Sequence, residues 1–204
     1  MNKPIDFYFD YSSPYGYLAS TQIEDIAQRH GRSINWHPIL LGAVFKVTGS
    51  QPLLNYPLKG EYAERDFART AREKNIVYNH PSDFPIGTVA LCRATYWAME
   101  HEDDAVKSLS VPLIHTAFKT YYVDNKNISD PAIAMKVVEQ VGLDSAACAE
   151  ACGSQAIKDR LRAAVDAAIE RGVFGSPMVY VDDEPFWGSD RLDQIDRWLT
   201  RGGW

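Results

Sequence analysis

IDFYFDYSSPYGYLA, residues 5–19, carries the end of one strand and the start of one helix. Ile5 to Tyr11 is apolar, aromatic and β-branched, the composition of a strand. Ser12-Ser13-Pro14 follows, with serine where a helix cap belongs and proline in the first turn, where its missing N–H costs nothing. Tyr15, Leu18, Ala19, Ile23, Ile26 and Ala27 then recur at helical spacing, and Gly31 stands where a C-terminal cap belongs. Ile34 to Leu41 (INWHPILL) reads as a second strand. Strand, helix, strand within so short a span implies parallel pairing and a right-handed crossover.

Further along, from about Gly42 to Gly172, strand signals nearly vanish. Helical stretches are expected over Tyr62–Lys74, Gly87–Glu100, Asp104–Tyr122, Pro131 to Gly142, Asp144–Gly153 and Ser154–Arg171. Pro112 should kink or split the third of these, and Ser129-Asp130-Pro131 repeats the cap-and-proline start. Strands return at Met178–Val181 and Pro185–Trp187 around an Asp182-Asp183 turn, and Ser189 is expected to cap a last helix through Leu192, Ile195 and Leu199. The order β-α-β, helices, β-β-α resembles an α/β thioredoxin-like core with a large all-helical insertion. On that reading residues 1–41 and 173–204 form the thioredoxin-like domain and 42–172 the inserted helical domain.

The chain has 204 residues, 46% of them apolar and 24% charged, as in globular proteins. A net charge of −6 argues against nucleic acid or an anionic membrane as partner. Charges break up the apolar residues of MNKPIDFYFDY, so no signal peptide is read there, and no apolar run reaches membrane-spanning length. Cys92, Cys148 and Cys152 form no Cys-x-x-Cys and are odd in number, which suits free thiols in a reducing cytoplasm. Cys148 and Cys152 share a helical face without a nearby histidine, so they are expected as packed thiols and no metal site is read.

In a thioredoxin-like core the chemistry sits at the start of the first helix, where unpaired N–H groups and the helix dipole favour an anion. Ser13-Pro14-Tyr15-Gly16 occupies that point with serine and glycine in the two positions a disulfide oxidoreductase fills with cysteine. What remains is to bind and activate a thiolate supplied from outside. Ser13 can also be a helix cap and nothing more. Val173-Phe174-Gly175-Ser176-Pro177 falls where such folds carry a cis-proline, an arrangement that would turn the Ser176 backbone toward the first helix. Phe186-Trp187-Gly188-Ser189-Asp190-Arg191 brings a serine and an acid to another helix start, able to hold a carboxylate on N–H groups and an ammonium on Asp190. A thiol, a peptide backbone and an α-amino acid head are the parts of glutathione.

The segments DFYFDYSSPYGYLA, HPILLGAVFKVTG, YPLKGEYAERDFAR, YYVDNKNISDP, ERGVFGSPM and FWGSDRLDQI together resemble the 2-hydroxychromene-2-carboxylate isomerase family, related to kappa-class glutathione transferases and to DsbA-type oxidoreductases. The resemblance spans nearly the whole chain. It implies that Ser13 is the catalytic serine on the glutathione sulfur, with Pro14 beside it. Ser176 and Pro177 would pair with the cysteinyl part, Ser189, Asp190 and Arg191 would hold the γ-glutamyl head, and Lys59 would approach the ligand. Ser50 stands in TGSQP where the family often has asparagine, and the shorter side chain implies that this contact is lost or bridged by water. The implied activity is a glutathione-dependent isomerisation of an unsaturated aromatic 2-oxo acid in the breakdown of aromatic compounds, by a cytoplasmic homodimer. A kappa-like transferase or peroxidase, and a non-catalytic glutathione- or peptide-binding module, are the alternatives.

A free thiol has a pKa of about 8.5, and lowering it by about two units takes roughly 2.7 kcal/mol. A hydrogen bond to a charged group is worth about 1.5–3 kcal/mol and a helix N-terminus about 0.3–1 more, so Ser13 and the helix start suffice. His37 is read as structural and Trp187 as packing. Of Tyr8, Tyr11, Tyr15 and Tyr17, most are read as core, with Tyr11 or Tyr15 able to line an aromatic pocket.

Overall fold

A computed structural model describes residues 3–204. Four strands, β1 (Ile5–Phe9), β2 (Ile34–Pro38), β3 (Met178–Val181) and β4 (Glu184–Trp187), form one sheet in the order β2-β1-β3-β4. β1 runs parallel to β2 and antiparallel to β3, and Phe7 pairs with Trp36 on one side and Val179 on the other. In β1, an inner strand, Ile5, Phe7 and Phe9 share one face and have no exposed surface, while Asp6 and Tyr8 lie on the other. Helix α1 (Pro14–Arg29) makes the crossover, buries Leu18, Ala19, Ile23, Ile26 and Ala27, and is followed by Gly31 at φ +62°.

Between β2 and β3 the chain is helical: α2 (Leu41–Thr48), α3 (Lys59–Glu73), α4 (Val89–Met99), α5 (Asp104–Ser108), α6 (Ser110–Tyr122), α7 (Pro131–Gln140), α8 (Ser145–Gly153) and α9 (Gln155–Glu170). After β4 comes α10 (Leu192–Arg201). The fold is thus a thioredoxin-like core carrying a helical insertion, and sheet and helices share one apolar cluster. Among the described residues no helix is long and apolar enough to cross a membrane.

Three local expectations are corrected. The second strand stops at Pro38, short of Leu41, because the Leu41 N–H turns to the Asp10 carboxylate at 2.7 Å and starts α2 instead. The helical stretch over 104–122 does divide, but at Leu109 and not at Pro112. Pro112 lies in the first turn of α6, where N–H groups lack intrahelical acceptors anyway. Ser189 does not cap the last helix: Gly188 at φ +107° leads into a 3₁₀ turn over Ser189–Arg191, and α10 begins only at Leu192 with no side-chain cap. The Asp182-Asp183 turn stands as read, with both residues at positive φ, as tight hairpins require.

Candidate functional site

The site grows from the turn that joins β1 to α1. Ser13 N–H donates to the Asp10 carbonyl at 2.9 Å, and the extended backbone of Ser13 makes it the N-cap of α1. Its Oγ accepts from Gly16 N–H at 3.0 Å. The same hydroxyl donates to the carbonyl of Ser176 at 2.8 Å, across 163 residues of sequence. Cap and candidate catalytic group are therefore the same atom. Tyr15 N–H, in the first turn of the helix, has no protein acceptor among the described residues.

Opposite stands the approach to β3. The Ser176–Pro177 peptide bond is cis, and Ser176 faces α1. Ser176 Oγ accepts from Asp10 N–H at 3.0 Å, so the two serines and the end of β1 are cross-linked three ways. Gly16 makes the approach feasible. A β-carbon there would lie 2.8 Å from Ser176 Oγ and 3.1 Å from Ser13 Cβ. Ser13 is 5% exposed and Ser176 8%, so both are buried at the start of α1. Neither of two surface cavities, of about 350 and 360 Å³, is lined by Ser13 or Ser176. The first passes over Trp187, Arg191 and Trp198, the second over Leu40, Arg93 and Leu161.

The third motif is tied in by the backbone. Gly188 N–H donates to the Pro177 carbonyl at 3.1 Å, which sets the Ser189–Arg191 turn beside the cis-proline, and this turn packs against α1. Ser189 is buried, whereas Asp190 is exposed and meets Arg191 at 3.3 Å. Tyr15 is half-buried and donates to Asp66 on α3 at 2.6 Å. Burial first, then Asp66 and the more remote charge of Asp190, push its hydroxyl well above the usual tyrosine range. Pro14, Ser13, Ser176, Pro177, Ser189, Asp190 and Arg191 are thus gathered around the start of α1.

Ser50 and Lys59 are not drawn into it in the same way. Ser50 is exposed just after α2, and Lys59 opens α3 with its ammonium over the Tyr56 ring, 5.4 Å from the centroid. Neither has a hydrogen bond to the two serines. Tyr11 has no exposed surface and bonds to Thr95 at 2.6 Å, so it lines no pocket. Trp187 is not core packing: it is 55% exposed, stacks edge-on against Phe174 at 4.9 Å and covers Gly175, which has no room for a side chain beneath the indole. An exposed aromatic pair therefore flanks the cis-proline.

Sequence reading missed Asp10. Its buried carboxylate accepts from Ser12 N–H at 2.9 Å, Ser12 Oγ at 3.0 Å, Thr88 Oγ1 at 2.8 Å and Leu41 N–H at 2.7 Å. Burial pushes this carboxyl up, and those bonds pull it only part of the way back. An acid directly after a buried strand and just before a capping serine was the available signal. Cys92 packs against Thr88 with no exposed surface, and burial together with Asp10 raises its thiol well above the ordinary range.

Known proteins share this fold over nearly the whole chain. The model of the DsbA-like thioredoxin domain matches residues 4–200. A 2-hydroxychromene-2-carboxylate isomerase of Sphingobium xenophagum is 32% identical over 98% of this chain and 99% of its own length. The chain belongs to the 2-hydroxychromene-2-carboxylate isomerase family, on a DsbA-like thioredoxin fold. Glutathione S-transferase kappa 1 of Rattus norvegicus is a more distant relative, 21% identical over 97% of this chain and 93% of that one. A solved 2-hydroxychromene-2-carboxylate isomerase superposes with a TM-score of 0.81 at 28% identity, covering 97% of this chain and 94% of the other. In this chain the residue that caps the first helix of that fold is Ser13.

Proposed function

We propose that this chain is a glutathione-dependent isomerase acting on an unsaturated aromatic 2-oxo acid, with Ser13 as its catalytic residue. The observation that carries the reading is the Ser13 hydroxyl, capping α1 while bonded to the carbonyl before cis-Pro177. The donors present fit the parts of glutathione. The Ser13 hydroxyl and the free Tyr15 N–H suit a sulfur anion, the Ser176–Pro177 backbone an extended peptide, and Asp190 with Arg191 the ammonium and carboxylate of the γ-glutamyl head. Ser189 supports that turn, Lys59 supplies a cation from the start of α3, and Ser50 contributes a hydroxyl from the end of α2.

When bound, glutathione supplies a thiolate for reversible addition to an electron-poor carbon. The protein's part is to hold that sulfur ionised and in place. Ser13 does this at a cost, since its one O–H must leave the Ser176 carbonyl. A hydrogen bond to an anion is worth about 1.5–3 kcal/mol, and the neutral bond given up about 0.5–1.5. Adding about 0.3–1 kcal/mol from the helix start leaves a net near 2 kcal/mol. At about 1.4 kcal/mol per unit, the thiol falls by roughly one and a half units. Gly16 N–H keeps Ser13 Oγ anchored while its proton swings. No cation is needed, and among the described residues none lies within hydrogen-bonding distance of Ser13.

The same residues serve a kappa-like transferase, a reading favoured by the rat relative. The test is the ultraviolet difference spectrum of glutathione added at pH 7 to the protein and to Ser13→Ala. A thiolate band in the first, absent or moved to higher pH in the second, supports the reading. Isomerisation of a 2-hydroxychromene-2-carboxylate without net loss of glutathione then separates isomerase from transferase, whereas consumption with a chloroaromatic electrophile favours the transferase. Absence of a band in both proteins reduces Ser13 to a helix cap.

A further inference from the structure

The cavity over Leu40, Arg93 and Leu161 lies outside the Ser13 site, and its lining has the chemistry of a second one. It encloses about 360 Å³ between α2, α4 and α9, within the range of about 300–1,000 Å³ for small-molecule pockets. Leu40, Ala43, Val89, Leu161 and Val165 form its apolar surface, with no aromatic ring among them. Leu161 and Val165 are buried, which puts the floor on α9. Three cations line the same space, Arg93 from α4 and Lys158 and Arg162 from α9. We propose that this cavity binds an amphipathic aliphatic monocarboxylate, its chain against Leu161 and Val165 and its carboxylate among Arg93, Lys158 and Arg162.

The cations carry the argument because they lack anions. The chain is acidic overall, with a net charge of −6, yet among the described residues no carboxylate lies within 4.0 Å of Arg93 or Lys158. The Nε of Arg93 is sealed from solvent with no acceptor, and its Nη1 donates to the Cys152 carbonyl at 3.4 Å. A charge that has lost water without gaining an ion partner costs free energy, and an anion offsets that cost. On α9, Lys158 and Arg162 are four residues apart, a spacing at which like charges destabilise a helix. The acid that Arg162 meets, Asp159 at 4.0 Å, already accepts from Gln155 at 2.8 Å. One bound carboxylate would relieve that repulsion and give Arg93 the anion it lacks.

The rest of the lining sets the ligand's class. Aliphatic side chains, extended by the stems of the three cations, suit a hydrocarbon chain and offer no ring for stacking. Asp166, four residues beyond Arg162 on the same face of α9, also lines the cavity. It repels a second negative charge there, so a monoanion is favoured over a dianion. The cavity adjoins the framework of the Ser13 turn without entering it: Leu40 and Val89 stand next to Leu41 and Thr88, which hold the Asp10 carboxylate.

The experiment titrates octanoate into the full-length protein at low ionic strength and reads the heat. Saturable binding is expected, weakened by added salt because Arg162 is exposed. Octanol and acetate, each lacking one half of the ligand, should bind far more weakly. Arg93→Met keeps the stem and removes the charge, and should weaken octanoate about tenfold or more, as loss of a hydrogen bond to a charged group implies. Lys158→Met should weaken it to a lesser degree, and serves alone if Arg93→Met fails to fold. Ser13→Ala should bind octanoate as the wild type does, which keeps this result separate from the fate of the Ser13 reading. Absence of saturable heat overturns the proposal, as does octanol or acetate binding as tightly as octanoate. Octanoate binding that both methionine variants leave unchanged, or that Ser13→Ala abolishes, places the ligand elsewhere and overturns it too.

Discussion

The Asp10 carboxylate accepts from the Leu41 N–H at 2.7 Å, so an acid one residue beyond β1 caps a helix that begins thirty-one residues later. Through its other oxygen it also holds Thr88, just before α4, and through its backbone it meets both Ser13 and Ser176. The turn that carries Ser13 is thereby fixed to the helical insertion. Asp10→Ala leaves the Leu41 N–H and Thr88 hydroxyl without their acceptor, at about 1–3 kcal/mol for each group that stays buried and unpaired. Asp10→Asn should fall between, since an amide keeps one acceptor oxygen and puts an NH₂ donor in place of the other. Urea denaturation at neutral pH should rank wild type above Asn above Ala. An Ala variant as stable as the wild type would refute this anchoring role.

Ser13→Ala removes the cap of α1 and, on the proposed function, the group that holds the glutathione sulfur. The cap alone is worth about 1 kcal/mol of stability. Separately, the pKa of bound glutathione should rise by about one unit, given the net hydrogen-bond term of about 1.5 kcal/mol. Thermal unfolding reads the first effect and a pH titration of the thiolate absorbance the second. A lowered melting temperature with an unmoved thiol titration would make Ser13 a cap only.

Gly16→Ala tests the close approach of α1 to the cis-proline strand. Alanine ordinarily gains about 0.5–1 kcal/mol over glycine inside a helix. Here the added carbon would stand 2.8 Å from Ser176 Oγ, and overpacking of this kind costs about 1–3 kcal/mol. The variant should be less stable than the wild type, with glutathione binding weakened. Removing the obstructing oxygen in Gly16→Ala/Ser176→Ala should recover part of the stability. Failure of the second change to recover any would place the conflict elsewhere.

On the opposite end of β1, Asp6 meets His37 at 3.0 Å, Arg171 at 2.7 Å and Asn35 at 3.0 Å. Burial pushes its carboxyl up, but the bonds from His37, Arg171 and Asn35 outweigh this and hold it well below the usual carboxylate range. A carboxyl lowered in the fold stabilises it fully above the unfolded value of about 3.9 and loses that contribution as pH falls toward the folded one. Asp6→Asn should therefore cost about 1–3 kcal/mol at pH 7. The gap to the wild type should narrow progressively below about pH 4. Urea midpoints for both proteins at pH 7, 4 and 3 measure it, and a gap that widens in acid would contradict the assignment.

Much of the site was legible along the chain because it is written in local chemistry. Ser13 caps α1 and Pro14 opens it because each acts on the turn it belongs to. Asp130-Pro131 and Asp144 start α7 and α8 for the same reason. The misreadings share a different cause. Leu41 looked like strand because an apolar residue after INWHP continues the pattern, and the acid that turns it into a helix start is remote in sequence. Ser189 had the residue type of a cap, but the backbone at Gly188 made a 3₁₀ turn of its neighbourhood. Trp187 reads as packing, and it does pack, but over Gly175 and Phe174 at the surface, where it stays 55% exposed.

The sequence by itself determined the succession β-α-β, helices, β-β-α and the serine at the start of the first helix. Hydrophobic period, caps and prolines act over a few residues, and the order of elements needs nothing more. Tertiary structure alone decided which distant groups meet. By setting β3 directly beside β1, the sheet brings Ser176 and cis-Pro177 against Ser13 and carries the Ser189–Arg191 turn with them. Those contacts are hydrogen bonds between buried groups, and burial is settled by which strand becomes the neighbour of which.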